Sequence, residues 1–210
     1  MNFFTYNVKL VFQQKLELFV FPVLVGFLTL AVCYSSKDKP VGTKMLFEVI
    51  SPLILGLLVT DIHSKEIKWR TAEITFMKPI SLDRTLYLRY FLILFYGVFV
   101  LSVTAVFLHS TNFFNIKSFL VSIPVIMFVT SLSMVISIIL GQNIAAFSVF
   151  FLFFLEGSIG SKYLPLYLFL ETFSPNYEYF WINRGVFVII SVGLYVLGYY
   201  LLKNPKRFVR

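Results

Sequence analysis

The sequence predicts an all-α polytopic membrane protein, and three observations carry that expectation. Hydrophobic residues make up 59% of the chain and charged residues only 13%, about half the roughly 25% charged content of soluble domains. The apolar residues fall in long runs, which a soluble core does not need but a bilayer crossing does. The basic residues behind the net charge of +8 flank those runs instead of forming one patch. Lys and Arg placed this way set orientation and meet anionic head groups, so the partner they imply is membrane lipid and not nucleic acid. No soluble segment is long enough to bury its own core, and residues 1–210 read as a single transmembrane domain. The lone Cys33 excludes an intrachain disulfide and a cysteine-rich metal site.

Apolar stretches near the roughly 20 residues needed to cross a bilayer give about six transmembrane helices: Leu16–Tyr34, Met45–Thr60, Leu86–Leu108, Phe119–Leu140, Ile144–Ile159 and Val186–Leu202. The second and fifth are short. Leu30-Ala31-Val32-Cys33 comes close to a lipoprotein cleavage box. Valine is the wrong size before the cysteine, however, and further spans follow, so the first span reads as uncleaved. Ahead of it, residues 1–15 place Thr5, Lys9 and Gln13 at i, i+4 spacing, with Phe4, Val8, Val11 and Phe12 on the other side. That pattern predicts an N-terminal interfacial helix.

Basic residues near the span ends set the orientation. With the N-terminus inside, Lys9, Lys15, Lys65, Lys68, Arg70, Lys78, Arg84, Arg89, Lys203, Lys206, Arg207 and Arg210 lie on the cytoplasmic side. Lys37, Lys39, Lys44, Lys117, Lys162 and Arg184 fall outside, a split of twelve to six. An even number of spans then puts both termini in the cytoplasm. The expected location is a cell membrane, multi-pass, in a bacterium.

Residues 156–183 depart from the pattern of simple spans. Gly157-Ser158-Ile159-Gly160 reads as a turn, and the apolar stretch after it, bounded by Pro165 and Pro175, is too short to cross. It reads as an outer re-entrant segment, with a tilted, irregular extension of the fifth helix as the alternative.

Enzyme signatures are absent: there is no H-E-x-x-H, no G-x-S-x-G and no phosphate-binding G-x-x-x-x-G-K-[ST]. His63 and His109 are expected near opposite membrane faces, where they cannot share a metal. No catalytic, cofactor-binding or metal-binding residue is assigned to this chain. Ser133, Ser137 and Gly141 recur every four residues, with Thr130 on a nearby face. Small residues at this spacing let helix backbones approach closely, and packing is favoured over a polar substrate stripe. Phe147, Phe150, Phe151, Phe153 and Phe154 read as lipid-facing or core bulk, though a lipid-like cargo could slide along them. Glu48 and Glu156 lie near the outer ends of apolar runs, where a carboxylate can reach head groups and water. Glu156 is also kept as a candidate gate.

The one substantial polar segment is 61–84, between the second and third spans. If Ser64–Met77 is helical, Glu66, Arg70 and Glu73 share one face, and Trp69, Ala72 and Phe76 another. Ser64 can cap the start, and Pro79 ends or kinks the run. A charged face turned to the cytoplasm suits docking into a protein groove. A solvated loop resting its aromatic face on the membrane fits the same spacing.

The order Glu66, Trp69-Arg70-Thr71-Ala72-Glu73, Lys78-Pro79-Ile80-Ser81 and Arg84 resembles the loop of ABC-2 type transporter permeases. That family shows an acidic residue, a Gly-Thr-x-Glu step and then Pro-Ile-Ser-Arg between its second and third spans. Glu66, Thr71, Glu73, Pro79, Ile80 and Ser81 match it. Arg70 stands where the family has glycine, and Leu82-Asp83 separates Ser81 from Arg84, which puts the local backbone shape in question. The layout of interfacial helix, about six spans and broken outer segment is similar too, so the resemblance covers nearly the whole chain.

The resemblance implies a permease subunit of an ATP-driven exporter with no chemistry of its own. Loop 61–84 would be a cytoplasmic coupling helix seated in a separate ABC ATPase subunit. Two such ATPases, carrying ATP and Mg, would work with two permease copies or a permease and a related one. Glu66, Trp69, Arg70, Thr71, Glu73 and Pro79 are then the ATPase-coupling residues. The second and fifth spans would line the dimer seam, making Ser51, Thr60, Asn143 and Ser148 candidates for the substrate path beside Glu156. A peptide, lipid or antibiotic fits the apolar interior. Two alternatives stand: the substrate-binding membrane subunit of a vitamin uptake transporter, and an immunity or anchor protein that transports nothing. The first expects small-residue motifs in the first span, where only Gly26 and Ala31 are scattered.

Overall fold

Wherever the sequence stays apolar for about 20 residues, the computed structural model is helical. The structure describes residues 15–35, 39–60, 82–110, 116–159, Leu168 and 180–203. Among them there is no strand. Six helices follow in order: α1 (Lys15–Ser35), α2 (residues 39–60), α3 (Leu82–Ser110), α4 (Ile116–Leu140), α5 (Gln142–Ile159) and α6 (Phe180–Lys203). Four helical stretches are long and apolar enough to cross a membrane, Gly42–Thr60, Tyr87–Ser110, Ser118–Leu140 and Phe180–Leu201; Phe19–Ala31 and Gln142–Glu156 are shorter apolar pieces. The chain is a membrane protein of all-helical build.

Three expectations about element ends are corrected. The second helix starts earlier than Met45, because Lys39–Met45 is already helical. The last begins at Phe180, not Val186, and so takes Asn183 and Arg184 into its first turns. Helix α5 continues through Ile159, so Gly157 and Ser158 belong to it and not to a turn. The outer segment assigned to 156–183 therefore shrinks to the connection 160–179, of which Leu168 alone is described. Hydropathy windows stop at a charge or a glycine, whereas backbone hydrogen bonding continues through both. The predicted interfacial helix at 1–15 lies outside the described residues except for Lys15, which opens α1.

Helix α4 is the centre of the bundle. It packs most extensively against α6 and α5, and also against α3 and the start of α2. Its inward side chains Val125, Ile126, Val129 and Met134 are fully buried. Gly141, with φ of 88°, makes the joint between α4 and α5. This left-handed conformation suits glycine, and it lets α5 restart one residue after α4 ends. Gly141 is exposed and so does not extend the packing stripe of Ser133 and Ser137, which are both buried.

Faces turned away from the bundle are apolar, as lipid contact demands. Phe91, Phe95, Phe99 and Val103 form an exposed stripe down α3, and Phe147, Phe150, Phe151 and Phe154 one down α5, while Phe153 turns inward. Hydroxyls inside the helices satisfy themselves on the preceding turn: Thr29 donates to the Val25 carbonyl, Ser102 to Val98, Ser133 to Val129 and Ser191 to Phe187, at 2.6–2.7 Å. A span can carry these side chains without water because no donor is left over.

Close backbone approach is decided at Gly56 of α2. A Cβ there would come within 2.9 Å of Val129 Cγ1 and 3.0 Å of Ser133 Oγ, both on α4. Val129 is β-branched and stiff at χ1, so it cannot swing clear. We expect Gly56→Ala to destabilise the protein by about 1–3 kcal/mol. Gly198→Ala, which meets only the flexible tip of Met134, should cost less than half of that. Paired denaturation curves in one detergent check the difference.

Candidate functional site

The densest polar feature among the described residues is a chain of contacts linking α2, α5 and α6 at one end of the bundle. It begins with a distortion in α2. Residues Leu46–Ile50 form a π turn, closed by the Ser51 N–H bonding to the Leu46 carbonyl. Ser51 Oγ donates to the same carbonyl at 2.7 Å. Pro52 gives a local cause: it offers no N–H to the Glu48 carbonyl four residues back, and its ring presses against that carbonyl. The widened turn carries Glu48, which is 1% exposed.

Glu48 forms an ion pair with Arg184 of α6, itself 3% exposed. Arg184 lies four residues beyond the start of α6, about 6 Å along its axis. One guanidinium nitrogen, Nη2, donates to Glu48 Oε1. The other, Nη1, donates to the Leu168 carbonyl at 3.2 Å. The Phe180 ring lies beneath the guanidinium, 5.1 Å from centroid to Cζ, adding a cation–π contact. On the far side of the Leu168 peptide, its N–H donates to Glu156 Oε2 of α5 at 3.3 Å. Leu168 is thus held by both of its backbone polar groups, and its side chain is buried. Phe47, next to Glu48, meets Phe119 of α4 edge to face at 5.5 Å.

A guanidinium satisfies this geometry where an ammonium would not. Its planar fork reaches a carboxylate and a carbonyl at once while keeping its charge. The arrangement fixes three helices and one residue of the intervening connection by a charge pair that water does not reach.

A second polar cluster joins α3, α4 and α6 further along the bundle. Tyr90, 1% exposed, donates to Thr130 Oγ1 at 3.0 Å and touches the Tyr195 hydroxyl. Tyr87 donates to the Tyr195 carbonyl. The Tyr90 and Tyr195 rings stack edge to face at 5.2 Å. Thr130 therefore serves this cluster, while its own hydroxyl donates a hydrogen bond to the Ile126 carbonyl at 2.7 Å.

The residues singled out from sequence fall into separate places. Glu66, Trp69, Arg70, Thr71, Glu73 and Pro79 lie outside the described residues. Ser51 and Thr60 are buried in α2, and Thr60 donates to the Leu57 carbonyl at 2.7 Å. Asn143 is exposed at the start of α5, and Ser148 donates to the Ile144 carbonyl at 2.8 Å. Ser51 closes the π turn that carries Glu48, and Glu156 enters the network through Leu168. Glu48 and Arg184 correct the sequence reading: neither reaches head groups or water, because each neutralises the other inside the bundle. Arg184 precedes the last span expected from hydropathy by two residues, so no local signal in the sequence paired it with Glu48.

No protein-family model, no curated protein and no solved structure matches this chain.

Proposed function

We propose that the protein is the membrane-embedded permease subunit of an ATP-driven exporter, resembling ABC-2 type permeases. The observation that carries this reading is the sequence from Glu66 to Arg84 and its position. Glu66 to Ser81 lie between a helix described to Thr60 and one that begins at Leu82 and takes in Arg84, where a coupling loop of such a permease belongs. Six helices in order among the described residues support it further. On this reading the chain binds no nucleotide. A separate ATPase subunit holds ATP and Mg, and a second permease copy or a related permease completes the translocation path. A hydrophobic or amphipathic cargo suits so apolar a body.

Purifying the chain together with the products of its co-encoded neighbours tests this directly. An ATPase that co-purifies in a stoichiometric complex is the expected result. A chain that purifies alone, with no nucleotide hydrolysis in any fraction containing it, would sink the proposal.

A further inference from the structure

We propose that the Glu48–Arg184 pair is a releasable latch between α2 and α6, and that its opening is the step that frees α2 to shift within the bundle. Three observations converge on it. The pair is buried, so its two charges are compensated by each other and by the groups around Arg184 instead of by water; such a contact is either made or broken, with little in between. Glu48 sits inside a π turn, a local irregularity that recurs at functional sites because a helix can shift its register there without losing its continuity. Thr60 lies twelve residues beyond Glu48 along helical α2, about 18 Å at 1.5 Å per residue. A displacement entering α2 at its Thr60 end would therefore reach the pair through a single rod. Below the turn, α2 meets its neighbours through Leu55, Gly56 and Val59, none of which carries a charge.

Arg184 also holds the Leu168 carbonyl while Glu156 holds the Leu168 N–H. Opening the latch therefore loosens one of the two backbone contacts that fix Leu168, and leaves the other. That a pull on α2 arrives from residues 61–81 rests on the permease reading; the latch itself does not.

The test uses the full chain in lipid nanodiscs, with Cys33 replaced by serine and spin labels at Met45 of α2 and Ile182 of α6, both exposed. The parent should give one narrow distance. Glu48→Gln keeps the shape of the side chain and removes its charge; it should increase a longer-distance population at least tenfold, and Arg184→Gln should do the same. Exchanging the charges, with Glu48→Arg and Arg184→Glu together, should restore the single distance. Unchanged distances in both glutamine variants would overturn the latch, as would a folded exchange variant that stays open. If the exchange variant does not fold, the glutamine variants decide alone. Adding the co-purified ATPase with ATP and vanadate should populate the same longer distance. Glutamine variants that open without any response to nucleotide would leave the latch standing and count against the permease reading.

Discussion

Arg184→Ala is expected to destabilise the folded protein by about 3–5 kcal/mol, read as a shift in its denaturation midpoint in a fixed detergent. The magnitude follows from what the substitution leaves behind. Glu48 is 1% exposed, and a carboxylate stranded there loses its counter-charge without gaining water. The Leu168 carbonyl loses its donor at the same time. Removing both charges together should cost far less. Glu48→Leu with Arg184→Met takes away the desolvation cost along with the attraction, and such replacements are often neutral or even stabilising. A double variant as unstable as Arg184→Ala would show that the pair's attraction outweighs the cost of burying it, contrary to this expectation.

On the proposed permease reading, the second large effect is expected in residues 61–81, where the ATPase would dock. Reversing Glu66 and Glu73 to lysine should weaken the ATPase complex by roughly 30- to 5000-fold in Kd, from about 2–5 kcal/mol for breaking interfacial charge pairs. Both carboxylates lie on the predicted charged face, and reversal turns attraction into repulsion instead of merely deleting it. Trp69, on the opposite face, should behave differently. Trp69→Ala should speed dissociation with little change in the salt dependence of association, because an apolar anchor does not steer approach. Surface plasmon resonance on the nanodisc-embedded chain at two salt concentrations separates the two. A complex whose affinity and hydrolysis survive the double reversal would remove the coupling role from this segment.

The sequence and the fold agree where the physics is local. Apolar runs marked all six helices, because each backbone polar group in lipid must bond within its own segment. The phenylalanine run of α5 was expected to meet lipid or fill the core, and the side facing out follows helical spacing around the buried Val149 and Phe153. Ser133 could be read as packing because a small residue on a helix face has few other uses in an apolar bundle. Arg184 escaped for the opposite reason. Its partner Glu48 lies 136 positions away in the chain, and nothing near either residue announces the other. A basic residue at the edge of an apolar run was read as an anchor facing head groups, since that is its commonest use. Tyr90 and Tyr195, 105 positions apart, went unnoticed on the same ground. The π turn was closer to legible: Pro52 follows a span entrance, though a proline alone does not say whether a helix kinks, ends or widens.

The distance in sequence between Glu48 and Arg184 also constrains how the protein is made. Helix α2 leaves the ribosome long before α6 has been synthesised. At roughly 5–20 residues per second, the 136-position separation is a wait of about 7–27 s. Throughout that interval Glu48 has no Arg184 to meet, so α2 cannot settle into its final place when it is born. The last helix to be translated completes the second, and a nascent chain halted before Arg184 would present quality-control machinery with a carboxylate that lacks its guanidinium.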